Sequence, residues 1–266
     1  MIRTVTVCAG ENNCALAAHQ YAIEIAQWFE ARLRVVSAWE AEEIREDEVT
    51  GGDSEGLARQ ELQPLLDKAK EAGLRAEESL RPEGYLKGLL AEARESDLLV
   101  LGMPTEGGAQ DDPVAAAILE EELPLLRRAE CMVLVVCDVY LPIKHVLVNY
   151  QGGVEGKSAL RIAGELAERN AARVVVISIE QDIGRAAVLT AVAQEYLKGF
   201  RLPSVDIVER SGDPESETEI LEAAESSKAD IIVVGNRPYG FLNRFFGKIT
   251  PEQIALDTSL PLLIAR

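Results

Sequence analysis

The chain repeats itself. Residues 17–37 (AAHQYAIEIAQWFEARLRVVS) lie over residues 158–178 (SALRIAGELAERNAARVVVIS) without a gap. Ala18, Ala22, Glu24, Ala26, Ala31, Arg32 and Ser37 recur as Ala159, Ala163, Glu165, Ala167, Ala172, Arg173 and Ser178. Further on, Asp97-Leu-Leu-Val-Leu-Gly102 is echoed by Asp230-Ile-Ile-Val-Val-Gly235. The period is far longer than that of short stacking repeats. The pattern therefore describes a duplicated domain, and function is expected where the two copies differ. A length of 266 residues divides into two domains of ordinary size. We place them at 1–138 and 144–266, joined by DVYLPIK, a linker too short to let the halves wander.

Each half alternates apolar strands with helical segments. In the second half, 146–150 is a strand between Pro142 and Gly152-Gly153, and 155–170 carries Ala159, Ile162, Ala163 and Leu166 at helical spacing. Residues 173–179 form a continuous β-branched run, as a strand buried on both faces requires. A helix over 184–199 has Val188, Leu189, Val192 and Tyr196 on one side, and a strand at 204–209 follows. The remaining elements are helices at 215–227 and 251–257 and strands at 230–234 and 260–265. The first half repeats this order, with strands near 4–9, 33–38, 74–80, 97–102 and 131–137. Its helices are expected near 14–30, 56–72, 84–95 and 113–129, and the acidic stretch 40–55 as a loop or frayed helix start. Helices between successive strands imply right-handed crossovers and an α/β fold: two doubly wound domains, each with a parallel sheet covered on both faces.

The net charge of −18 argues against nucleic-acid and anionic-membrane partners, since both need basic surfaces. No segment reaches the roughly 18 apolar residues of a membrane span. MIRTVTVCAG enters a strand directly, which points to the cytoplasm. Cys8, Cys14, Cys131 and Cys137 contain no CxxC and read as small buried residues, and His19 and His145 stand alone, so no metal site is expected. Runs such as Glu120-Glu121-Glu122 read as solvated helix faces in so acidic a chain.

The segment richest in chemistry follows the fourth strand of the second half: Gly235-Asn-Arg237-Pro-Tyr-Gly240-Phe-Leu-Asn-Arg244-Phe-Phe-Gly247-Lys248-Ile249-Thr250-Pro251. Ligands of doubly wound sheets bind beyond the carboxyl ends of the strands. Three glycines permit close backbone approach, and Arg237, Arg244 and Lys248 concentrate positive charge. The segment ends at a helix start, where free N–H groups favour an anion. This is a plausible phosphate cradle, with Thr250 offering a hydroxyl. Thr250, Pro251 and Gln253 equally fit an ordinary helix cap.

The element order, the GNRPYGFLNRFFGKIT loop and the closing LPLLIAR resemble the universal stress protein family, as a tandem of two such domains. The resemblance implies a five-stranded parallel sheet in the order 3-2-1-4-5, and pairing of domains through their last strands, here within the chain and in a homodimer. The family's nucleotide-binding branch carries Gly, two residues, Gly, nine residues, then Gly followed by Ser or Thr. Gly235 and Gly247 match its first and last glycines. Pro238 replaces the middle one, with Gly240 two residues on, and Lys248 replaces the Ser or Thr. The family also carries an Asp before a glycine at the end of the first strand. Here that stretch is Val148-Asn-Tyr150-Gln151-Gly152, with Gln151 in place of Asp.

The resemblance thus implies a small-molecule partner, ATP or a related adenine nucleotide. Its site is expected at Tyr150, Gln151, Gly152, Gly235, Arg237, Gly240, Gly247, Lys248, Ile249 and Thr250. No catalytic base or nucleophile stands out, so slow ATP hydrolysis is the most that enzymatic activity would amount to. In the first half Ala9 precedes Gly10, and Glu106, Asp111 and Asp112 oppose phosphate; that copy reads as having lost the site, and Gly107-Gly108 as a flexible turn. The alternative is a tandem scaffold that binds no nucleotide and works by protein association.

Overall fold

The computed structural model describes residues 1–39, 54–109, 112–214, 216–236 and 251–266. Of the acidic stretch 40–55, only Ser54 and Glu55 are described, and they open a helix. The chain divides into two compact units, Met1–Pro104 with Gly108–Tyr140, and Leu141–Arg266 with Thr105–Gly107.

The first unit contains β1 (Thr4–Cys8), α1 (Asn13–Phe29), β2 (Arg32–Ala38), α2 (Ser54–Glu71), β3 (Ala76–Arg81), α3 (Tyr85–Glu95) and β4 (Leu98–Gly102). It is completed by α5 (Pro113–Arg128) and β5 (Met132–Val136), after a short α4 (Glu106–Ala109) that falls across the division between the units. Its strands are parallel in the order β3-β2-β1-β4-β5. The second unit contains β6 (His145–Asn149), α6 (Gly153–Asn170), β7 (Arg173–Glu180), α7 (Ile183–Leu197) and β8 (Val205–Ser211). It continues with α8 (Glu217–Ser227), β9 (Ile231–Gly235), α9 (Pro251–Asp257) and β10 (Leu262–Ala265). Its order, β8-β7-β6-β9-β10, is the same topology, again all parallel. Each unit is thus a doubly wound α/β domain of order 3-2-1-4-5. The Gly107-Gly108 segment is the helical turn α4 and not the flexible turn expected.

The repeated residues are those that hold helix to sheet. Ala18, Ala22 and Ala26 on α1, and Ala159, Ala163 and Ala167 on α6, are all buried. Spaced by four, they form one narrow, flat face along each helix, which lets the backbone lie close to the strands. Both helices end on a left-handed residue that is not glycine, Glu30 (φ 53) and Ala171 (φ 55). Their backbone N–H groups donate to Ala26 and Ala167. The two aspartates of the second echo have a shared task. Asp97 Oδ2 accepts from the N–H groups of Arg3 and Thr4 at 2.8 and 3.0 Å. Asp230 Oδ2 accepts from those of Lys144 and His145, both at 2.8 Å. Each ties the start of the fourth strand to the start of the first.

The apolar side of α7 is not the one turned to the sheet: Val188, Val192 and Tyr196 are exposed, while Ala186, Thr190, Ala193 and Leu197 are buried. Small residues win the inner face because α7 lies on both β7 and β8. Nor is Glu120-Glu121-Glu122 uniformly solvated. Glu122 is 3% exposed, and its Oε1 accepts from the Tyr85 hydroxyl. Its fellow Glu92, on α3, is also buried, but there Ser79, Arg81 and Arg34 all donate to it. They hold that carboxyl below its ordinary range against the opposing pull of burial.

Candidate functional site

In this topology the strand order reverses between the first and fourth strands of each unit, which opens a crevice at their carboxyl ends. In the second unit the crevice lies between β6 and β9. Its floor is a cleft of about 30 Å³, lined by Asn149, Gln151, Gly152, Glu155, Gly156, Val234 and Gly235. That is room for about one water molecule.

The β6–α6 turn is built from consecutive glycines. Gly152 has φ 73 and Gly153 φ 74, values that side chains disfavour. Gly152 is the N-cap of α6 and offers no side-chain bond to the helix. The first N–H groups of this 18-residue helix therefore receive no hydrogen bond from the N-cap side chain. Behind them stands Asn149, 8% exposed, whose Oδ1 has no hydrogen-bond partner among the described residues. A buried amide oxygen left unmatched costs about 1–3 kcal/mol, so this atom suits a donor supplied from outside.

Among the residues expected from the sequence, Gly235 closes β9 against α6. A Cβ there would meet the Glu155 carbonyl carbon and oxygen at 2.6 Å. Its lack of a side chain is used by the helix backbone. Gln151 and Gly152 both line the cleft, and the Gln151 Nε2 donates to the Pro214 carbonyl in the turn after β8. Tyr150 is 2% exposed, with its ring beneath Gly156; burial raises its pKa. It is not one of the described residues that line the cleft. Arg237, Gly240, Gly247, Lys248, Ile249 and Thr250 lie outside the described residues. The sequence reading passed over Asn149, Gly153, Glu155 and Gly156. The double glycine was visible, but an asparagine at a strand end carries no signal of being orphaned.

The matching crevice of the first unit is furnished differently. Gly102 closes β4 as Gly235 closes β9: an added Cβ would meet the Cys14 carbonyl carbon and oxygen at 2.5 Å. The helix start, however, is capped, because Asn12 Oδ1 accepts from Ala15 N–H at 2.8 Å. Under the turn, the Tyr85 hydroxyl bonds both the Cys8 thiol and Glu122. Burial pushes the Cys8 thiol up to about 12, with the Glu122 charge adding to it. Burial also pushes the Glu122 carboxyl up to about 8, against the Tyr85 hydrogen bond and with help from Glu121. His19 bonds the Cys8 carbonyl through Nε2 at 3.0 Å, and burial lowers its pKa. All four cysteines are free. This side is acidic and holds protons; it offers no cation to a phosphate among these residues.

No helix among the described residues is long and apolar enough to cross a membrane. Comparison with the curated proteins finds no match. Among solved structures, the chain is similar to a universal stress protein from Archaeoglobus fulgidus, at 16% identity and TM-score 0.73, covering 99% of this chain and 96% of that one. It is also similar to a putative universal stress protein from Pseudomonas aeruginosa, at 19% identity and TM-score 0.65, covering 99% and 93%. A universal stress protein solved in complex with cAMP matches 47% of this chain and 97% of its own, at 20% identity and TM-score 0.40. The Universal stress protein family matches residues 1–136 and 178–266, which is most of the length and both units. On that match the chain belongs to the universal stress protein family.

Proposed function

We propose that this is a cytoplasmic stress-response protein that holds one adenine nucleotide, ATP or a relative, over the β6–β9 crevice of its second unit. The observation that carries the reading is the buried Asn149 Oδ1, without a hydrogen-bond partner among the described residues, near the start of α6, whose N-cap Gly152 has no side chain to cap it. An anion gains from those N–H groups and from the helix dipole, and a purine or ribose donor would satisfy the amide oxygen. The phosphates would lie toward Gly235, Arg237, Gly240, Gly247, Lys248, Ile249 and Thr250. The sugar end would lie toward Tyr150, Gln151 and Gly152, with Gln151 exchanging its bond to Pro214 for one to the ligand. The role is binding, with at most slow hydrolysis.

The test is isothermal titration of ATP into the wild-type protein, Asn149→Ala and Gly247→Asp. The expected result is saturable binding by the wild type and at least tenfold weaker binding by both variants. An absence of heat from the wild type would end the proposal. A second reading, a tandem scaffold without nucleotide, is favoured by one observation: the cleft floor takes about one water, and Gln151 is already engaged. Thermal shift against a nucleotide panel separates the two readings, since a ligand that binds only the folded state raises the midpoint.

A further inference from the structure

A trough of about 920 Å³ crosses the amino ends of β1, β2 and β3, at the foot of the first unit and away from its crevice. That is the size of a small-molecule pocket. Its rim is made of the chain just before β1 and of the three helix-to-strand joints α1–β2, α2–β3 and α3–β4. Each brings one arginine to the rim: Arg3, Arg32, Arg75 and Arg94. All four are exposed, in a chain whose net charge is −18. The β2–β3 register sets Leu33 beside Ala76, so one step back Arg32 stands beside Arg75. Like charges side by side across strands repel, and an anion between them relieves the repulsion.

Structural duties do not account for these guanidinium groups. Cations often complete helix C-termini, but here backbone N–H groups take the last carbonyls. Those of Glu30 and Ala31 donate to Gln27 and Ala26, and those of Ala72, Gly73 and Leu74 donate to Lys68, Lys70 and Ala69. The Gln27 side chain covers the Ala72 carbonyl at 2.9 Å. Most acids on the rim are committed as well. Asp97 accepts from backbone N–H groups. Glu95 lies 2.9 Å from Arg34 and 3.5 Å from Arg81, both outside the trough. Glu77 is shared between Arg32 at 3.7 Å and Arg34 at 3.8 Å, which leaves Glu30 as the opposing charge. Arg94 pairs only with exposed Glu130, and such pairs are worth little. Arg3 and Arg75 make no side-chain hydrogen bond or ion pair among the described residues.

The second copy lacks this concentration of arginine. Strand register and the Asp97–Asp230 echo place Ser204 where Arg75 stands and Ser227 where Arg94 stands. Arg173, the counterpart of Arg32, is bonded to Asp206. We propose that the trough of the first unit binds a small polyanion, a molecule carrying two or more phosphate or carboxylate groups. Planar guanidinium forks match both groups bidentately. Arg3 and Arg75 take the ligand without giving up a bond. Arg32 exchanges its long contact with Glu77, and Arg94 its exposed pair. The site is open to water, so its affinity rests on several charges acting together and falls with salt. It belongs to the first unit and does not depend on what the β6–β9 crevice binds.

Isothermal titration of pyrophosphate and of citrate tests it, each taken to about 5 mM at low salt to reach the weak affinities of an exposed site. The wild type should bind at least one of the two probes, and the tighter one tells phosphate from carboxylate recognition. Arg3→Gln with Arg75→Gln should bind that probe at least tenfold more weakly. Its circular dichroism spectrum should be unchanged, since neither side chain is bonded to the fold. Gly247→Asp, a change in the second unit, should bind as the wild type does. Sodium chloride raised from about 20 to about 200 mM should weaken wild-type binding several-fold. No heat from either probe, full-strength binding by the double arginine variant, or loss of binding in Gly247→Asp would each overturn the proposal.

Discussion

The β1–α1 and β6–α6 turns occupy the same place in two copies of one domain and have been finished in opposite ways. Both run beneath a strand-end glycine pressed onto helix backbone, Gly102 and Gly235. Above that shared joint, the first turn is closed by its own side chain, Asn12, and backed by a thiol, a phenol and a buried carboxyl. The second is left open, with two left-handed glycines and an amide oxygen that nothing in the described residues satisfies. Duplication thus preserved the frame and freed its rim. A copy that completes its own hydrogen bonds has less to offer a ligand than one that leaves them waiting.

The sharpest break between the copies is expected from pH. The Glu122 carboxyl ionises near 4.5 when unfolded and at about 8 in the fold. Between those values the folded chain keeps a proton that the unfolded chain has released. Stability of the first unit therefore falls as pH rises through that window and levels off above it. Glu122→Gln should flatten the dependence and leave the protein more stable at pH 8, by on the order of a few kcal/mol. Hydrogen exchange on α3 and α5 peptides against pH reads this directly; second-unit peptides serve as the control. An unchanged pH slope in the variant would remove Glu122 from the account.

Next in size are the joints. Gly102→Ala and Gly235→Ala each force a methyl into helix backbone and should destabilise by about 1–3 kcal/mol. Urea denaturation should give similar losses for both; a large inequality would show that the frame is not shared after all. Removing the cap with Asn12→Ala should cost about 1 kcal/mol, confined to the first unit. The smallest effect concerns the left-handed helix ends. Glu30→Gly and Ala171→Gly relieve a strained φ and should change stability by less than about 1 kcal/mol, in the stabilising direction and equally in both copies.

Much of this was legible in residue order. Every strand and nearly every helix was marked by its periodicity, and the alanine and aspartate echoes disclosed the duplication because they are the contacts that hold each domain together. What could not be read was direction. The valines of α7 share one side, but which side meets the sheet is decided by the size of Ala186, Ala193 and Thr190 against two strands at once. Glu122 resembles its exposed neighbours in sequence and differs only in what the packing of α3 on α5 does to it. Asn149 is silent for the same reason: whether an amide is matched or orphaned is a property of its surroundings.

Asp97 and Asp230 each fasten two strands at the foot, the end far from the crevice. A slide of one residue would move Val5 and Val7, or Val146 and Val148, to the opposite face of the sheet, and this anchor resists that slide from the end away from the crevice. The head of each ladder is thereby released from keeping the rungs aligned. It can gain a cap, lose one, or change its polarity while the strands below stay in step.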